Sequence, residues 1–480
     1  MVKYYIQQTK IFNLIKMKMN KLLLGFDVMA YNGEMPNCLD PKFLSTIHQA
    51  SDFDYRFSGE GFKKRWNEDW SIYNSGFWDN HSIKKSIYEI TKYHPNEKWF
   101  YMIEPFGNIE AFFGNHPFYN KLCLENISSV ALNEIKNGNG NLLINYIVDG
   151  GLGVTTNNFK KIIDFTRNNN IPDEKVYMIF QDFNLSTNIK NLGANYNVID
   201  YNWAHHLKST EFWNTINIPN WSFWPEDAYE PQFGKMEKVK SSIASCDEFE
   251  ESIGKDKKDF LFLCRHWKKH RLHILDVLYK LGLENNLVSW DNRFFDINSV
   301  NHYYIDANNT EMIELIKTTS KHLDIEDITK IAGYGYEDKN LYLNSYLSIV
   351  SESVFFQNEI DFPTGYLSEK IWKPIGHSQP FVLAGPANSL KYIQSMGYKT
   401  FHPYIDESYD SEMDDLKRMN MILIEIEKFS NKTKEEKDEF LNNVKDIVKY
   451  NQEYFLNYAE KNSPKNINDI VWSLTKPTTI

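Results

Sequence analysis

One unit recurs along this chain and limits what it can fold into: a short apolar run, a turn, then an amphipathic run. Its clearest copy is "DFLFLCRHWKKHRLHILDVLYKLG", from residue 259. A nearly unbroken apolar run suits a strand buried on both faces, as in a parallel sheet. Leu272, Leu275, Leu278 and Leu281 follow near helical spacing. Strands that alternate with helices imply right-handed crossovers and a doubly wound layer. Further strands are expected in "KLLLGFDV", "KWFYMIEPF", "NLLINYIVDGG", "KVYMIFQD" and "YNVIDYNW". After the charged stretch "GKMEKVKSSIASCDEFEESIGKDKKD" the alternation restarts, with strands in "DFLFLCR", "NLVSW", "SYLSIVSES", "PFVLAG" and "KTFHPY". Residues 411–461 are rich in Glu, Lys and Leu and are expected to be helical throughout.

The expected fold is therefore α/β, with two Rossmann-like doubly wound domains facing across a cleft and a long C-terminal helical segment. The boundaries read as an extension over 1–20, a first domain over 21–235, a linker over 236–257, a second domain over 258–425, and closing helices over 426–480. A chain of 480 residues is long enough for two cores.

Composition narrows the partners. The net charge of −11 argues against a nucleic-acid backbone. Cys38, Cys123, Cys246 and Cys264 have no close spacing, which fits a reducing compartment and disfavours structural zinc. The N-terminal segment is interrupted by Lys10, Lys16, Lys18 and Lys21, so it is too broken for a spanning helix. These lysines would allow only a weak contact with a membrane surface. The expected location is the cytoplasm, or the host cytoplasm for a viral protein.

Three stretches could carry chemistry. "FLCRHWKKHRLHIL" sets Arg265, His266, Lys268, Lys269, His270 and Arg271 at a strand-to-helix turn, where cations would suit phosphate oxygens. "SIVSESVFF" places Glu352 at a strand's carboxyl end. "YLSEKIWKP" places Glu369 and Lys370 at an expected helix start, with Ser368 as cap. Strand ends of one parallel sheet share an edge, so Arg271, Glu352, Glu369 and Lys370 are expected to converge on a nucleoside diphosphate. Each stretch also has a plain reading, as a solvated basic turn or a capped helix start.

Other features are weaker. Asp149 and Glu104 stand at strand ends in the first half and are the candidate general bases. His205, His206 and the tryptophan-rich "FWNTINIPNWSFWPEDAYEP" could line an acceptor, though packing explains them as well. Asp52-x-Asp54 is too short a pattern to indicate a metal, and no metal site is expected. The acidic "DESYDSEMDDLKR" reads as a capped, solvated helix start.

The run "SIVSESVFFQNEIDFPTGYLSEKIWKPIGHSQPFVLAGP" resembles the donor-binding signature of the alpha-1,3-fucosyltransferases. It resembles even more closely a set of glycosyltransferase-like proteins from phages, giant viruses and marine bacteria. The resemblance covers about residues 258–425. It implies the two-Rossmann GT-B architecture and inverting, metal-independent transfer of a sugar from a nucleotide-diphosphate donor, GDP-fucose-like among the candidates. The acceptor would be a glycan, a protein or a small hydroxyl compound, and no cofactor beyond the nucleotide sugar is implied. By this resemblance Glu369 would bind the donor ribose and Lys370 the pyrophosphate. Arg271, and less closely Arg265, would fall on the donor phosphates, Glu352 would line the sugar site, and Tyr366 would pack near the base or sugar. The chain departs from the fucosyltransferases at Ser353, where they usually carry Asn, and in "WKPIGHSQPF". The competing expectations are a catalytically silent nucleotide- or glycan-binding protein, and another two-Rossmann enzyme such as a nucleotide-sugar epimerase.

Overall fold

The computed structural model describes residues 22–26, 82–103, 113, 122–146, 155–180, 182–200, 243–264, 267–292, 310–321, 323, 338–356 and 364–475. Among the described residues, ten strands form two all-parallel sheets. The first holds β1 (Leu22–Phe26), β2 (Ser82–Ser86), β3 (Trp99–Ile103), β4 (Gly140–Tyr146), β5 (Val176–Phe180) and β6 (Asn197–Asp200). Their order is β2-β1-β3-β4-β5-β6. The second holds β7 (Lys258–Cys264), β8 (Leu287–Trp290), β9 (Ser345–Ser351) and β10 (Phe381–Ala384), in the order β10-β9-β7-β8.

Both sheets start in the middle, step to one edge, then return and build outward on the other side. That order creates a switch point between β1 and β3 in the first sheet and between β7 and β9 in the second. In open parallel sheets the crevice beyond the strand carboxyl ends at such a point is where ligands bind.

The strands are buried as parallel strands should be. Every residue of β5 and of β9 is buried. The apolar core falls into two groups, one built from residues between Leu23 and Tyr196, the other from residues between Phe249 and Phe455. Helices complete each layer. Thr155 caps the Thr156–Asn168 helix by accepting from the Asn158 N–H, and Phe159, Ile162 and Ile163 form its buried face.

Several boundaries shift. The linker contains a Cys246–Ser252 helix with a Ser245/Glu248 capping box, and its Phe249 joins the second core. Residue 425 lies inside the Asp415–Ser430 helix. Phe429, Phe440, Leu441, Val444, Val448 and Phe455 pack into the same core as the second sheet. The helical tail is two helices, Asp415–Ser430 and Lys434–Thr475, and the latter also lies against the Trp372–Gly376 helix and β1.

"KTFHPY" does not form a strand. Asn451 accepts from the Lys399 N–H at 2.9 Å and donates to its carbonyl at 2.8 Å, so a side-chain amide stands where a strand neighbour would be. The edge strand β2, "SIKKS", was not expected, because its lysines and serines carry no apolar signal.

Among the described residues no helix is long and apolar enough to cross a membrane, and no group of His, Cys, Asp or Glu is placed to hold a metal ion. Among the described residues, Cys246 and Cys264 are in no disulfide.

Candidate functional site

The site grows out of β9. Its last residues lead to Glu352, whose N–H donates to the Ala384 carbonyl of β10 at 2.9 Å. The Glu352 side chain is wholly buried at the β7/β9 switch point. Oε2 accepts from Ser368 Oγ at 2.5 Å, from the Ser368 N–H at 3.1 Å and from the Ser353 N–H at 3.3 Å. Oε1 has no hydrogen-bond partner among the described residues. Burial pushes this carboxyl above its ordinary range, against the opposing pull of the Lys370 charge. A buried carboxylate oxygen without a donor is costly, and costly exceptions concentrate at functional places. Gly385 follows β10 here; a Cβ on it would lie 3.5 Å from Glu352 Cγ.

Cations surround the same strand end. Arg271 sits in the first turn of the Lys269–Lys280 helix and is 4% exposed. Its guanidinium donates to Ser351 Oγ at 3.3 Å and to the carbonyls of Ser351 and Glu352 at 3.3 and 3.2 Å. Lys268, one residue before that helix, donates to the Ser353 carbonyl at 2.6 Å. Burial, then the charges of Arg271 and Lys370, lower the Lys268 pKa to about 8. Lys370 reaches Glu369 at 2.9 Å, Ser368 Oγ at 3.1 Å and Ser353 Oγ at 3.4 Å. Three cations from two segments thus meet over Ser351–Ser353. His270 is not a fourth. Burial holds its pKa well below the ordinary value, so the neutral ring donates from Nε2 to the Glu352 carbonyl at 2.9 Å and stacks on Phe355.

Close approach of like charges is unfavourable in a half-buried pocket unless an anion joins them. Burial is the main reason that the Lys268 pKa falls, and the charges of Arg271 and Lys370 add to it as the local sign of that repulsion. An anionic group such as a diphosphate would relieve it: the half-buried Lys268 and Lys370 ammonium groups supply donors, and the buried Arg271 adds its charge from behind them.

The expected residues fare unevenly. Arg271, Glu352, Glu369 and Lys370 are brought together. Tyr366 is only 1% exposed, so it packs within the protein and presents almost no face to a ligand. Ser368 does not cap the helix: that helix spans only Trp372–Gly376, with Ile371 at its cap position. Ser368 instead closes a turn, accepting from the Lys370 N–H at 3.3 Å while donating to Glu352. Arg265, Glu104, Asp149, His205, His206, Asp52, Asp54 and the tryptophan-rich segment lie outside the described residues. The acidic stretch near 410 caps helices as expected but is not solvated throughout, since Asp415 and Arg418 are buried. Asp414 accepts from the Lys417 N–H, and Asp410 accepts from the Leu390 and Lys391 N–H groups.

Two contributors carried little signal. Lys268 was one basic residue in a run of them, and only the fold separates it from Lys269, whose ammonium lies over the Phe356 ring. Ser353, which spaces Lys268 and Lys370, is too ordinary to single out. Comparison with protein-family models, curated proteins and solved structures finds no match for this chain.

Proposed function

We propose that the chain is a glycosyltransferase of the two-Rossmann GT-B type, resembling the alpha-1,3-fucosyltransferases in its second half. One observation carries the reading: Lys268, Arg271 and Lys370 gather around the buried Glu352 at the β7/β9 switch point. That is where an open parallel sheet binds a nucleotide, and it is where the resemblance puts the donor diphosphate.

In this reading the donor's diphosphate lies against Lys370, Lys268 and Arg271, and Glu369 takes the ribose hydroxyls. The acceptor hydroxyl oxygen attacks the anomeric carbon from the face opposite the diphosphate. The new C–O bond forms as the bond to the phosphate oxygen breaks, with inversion. The nucleoside diphosphate leaves with the electron pair, and the cations stabilise the charge that develops on it. The acceptor proton passes to a carboxylate of the first half, Glu104 or Asp149. The acceptor is a glycan, a protein or a small hydroxyl compound.

The test is incubation of the full chain with a panel of GDP-, UDP- and dTDP-sugars. Release of nucleoside diphosphate from one of them, with transfer to an added acceptor, supports the reading. Binding without turnover points to a silent binding protein, and an epimerised donor to an epimerase. The reading falls if no nucleoside diphosphate binds and Lys370→Ala changes nothing.

A further inference from the structure

The loop that carries Ser368, Glu369 and Lys370 is held from the other sheet. Asp182 stands just beyond β5 and is 3% exposed. Its Oδ1 accepts from the Gly365 N–H at 2.7 Å and from the Asn184 N–H at 2.8 Å. The next residue returns the contact, as the Phe183 N–H donates to the Gly365 carbonyl at 2.9 Å. The Phe183 ring lies so close over Gly365 that a Cβ there would sit 2.4 Å from it. Only glycine permits that approach. Although it follows a strand of the first sheet, Phe183 packs with the second core.

A second tether runs beside the first. Asp200, the last residue of β6, accepts from the Tyr392 hydroxyl at 2.5 Å. Tyr392 belongs to the Ser389–Ser395 helix that follows Gly385, and its ring stacks on Phe183 with centroids 4.6 Å apart. Carboxylates at two neighbouring strand ends of the first sheet thus grip two elements that flank Glu352.

We propose that Asp182 is a positioning residue for the site: by clasping Gly365 it fixes the turn in which Ser368 holds Glu352 and which presents Lys370 to a diphosphate. Its part in diphosphate binding rests on the function proposed above; the clasp itself does not. The acceptance of two N–H groups needs only an oxygen, so Asp182→Asn keeps the clasp and Asp182→Ala removes it.

The experiment uses the full chain and two readouts. Hydrogen exchange reads the amides of 364–370, with β9 as internal control, and calorimetry reads binding of inorganic pyrophosphate. Asp182→Ala should speed exchange at 364–370 by about tenfold or more, with β9 unchanged. It should also weaken pyrophosphate binding about tenfold. Asp182→Asn should restore both to within about twofold of the parent. Exchange at 364–370 that stays unchanged, or rises equally in β9, overturns the proposal, as does failure of Asn to rescue. If the parent chain binds no pyrophosphate, the diphosphate reading fails and the exchange data still decide the clasp. If Asp182→Ala does not fold, Tyr392→Phe carries the test. Removing the hydroxyl that Asp200 accepts loosens the Tyr392–Phe183 stack beside the clasp and should speed exchange at 364–370 about threefold with little change in thermal midpoint, and unchanged exchange there overturns the proposal.

Discussion

The two sheets share a strand order and differ in what stands at their strand ends. Beyond β7 and β9 the chain places Lys268, Arg271 and a buried Glu352. Beyond β5 and at the end of β6 it places Asp182 and Asp200. Both sheets hold polar groups inside. Ser345 and Ser348 of β9 are buried and share Gln379 with the Tyr342 carbonyl, and Asn141 of β4 is buried and donates to the Trp99 carbonyl. The same topology therefore carries two kinds of strand end: a cationic cluster in one layer and an acidic clasp in the other. Topology sets where a ligand can sit, and the strand-end residues decide which ligand it is.

The sharpest way to break the second layer is through its buried charge. Arg418 and Asp415 are 1% and 2% exposed and lie 2.5 Å apart. Arg418 also donates to the carbonyls of Phe355 and Glu412 at 2.8 Å and covers the Phe355 ring. It thereby braces the segment just after Glu352. Arg418→Met takes the cation away from a buried carboxylate and should cost about 3–5 kcal/mol, read by chemical denaturation. A loss under about 1 kcal/mol would mean that the polar interior of this layer is dispensable.

The acidic clasp should reveal itself through pH. Burial raises the Asp182 pKa from 3.8 to about 7, helped by the nearby Asp200 charge and opposed by the N–H groups it accepts. Between those values the folded chain holds a proton that the unfolded chain has released. Raising the pH through this window therefore strips stability, by at most about 4 kcal/mol from this group. The stabilising proton is fully present below the unfolded value and is gone above about 7. Asp182→Asn removes the titration, so its thermal midpoint should fall less than the parent's between pH 5 and pH 8, values chosen to span most of that window. Parallel curves for the two proteins would show that Asp182 is not buried in the way described.

The cationic crevice is tested by affinity rather than stability. Lys370 is half-buried and pairs with Glu369, so Lys370→Ala should barely change the melting temperature. It should weaken binding of a nucleoside diphosphate about 10- to 100-fold, the worth of one or two charge-assisted bonds. Equal affinity in parent and variant would remove Lys370 from the site.

Much of this was legible in the chain. The apolar runs of β3, β4, β5, β7, β9 and β10 declare themselves, because parallel strands are buried on both faces. The positions of Arg271 and Glu352 were legible for a related reason: charge beside an apolar run marks a strand end. What stayed hidden depends on tertiary placement. Asp182 follows "VYMIF" as an unremarkable acid, and nothing local reveals that its partner is Gly365. Ser368 looked like a helix cap because Ser-Glu is cap-like, but Pro374 and the short Trp372–Gly376 helix leave it in a turn. The Lys399–Phe401 stretch lost its strand to Asn451, a partner 52 residues away from Lys399.

The smallest effect bears most directly on the comparison. Ile144 of β4 and Ile349 of β9 are both buried central-strand residues, at 0% and 3% exposure. Ile→Val at either position deletes one methylene from a parallel layer and should cost about 1 kcal/mol. Equal losses would mean that the two cores are equally well packed, which confines the difference between the layers to their strand ends. A much larger loss at Ile349 would extend the difference inward. The serines of β9 and their Gln379 network would then be sensitive to the packing around them, and the crevice above would depend on its core as well as on its charges.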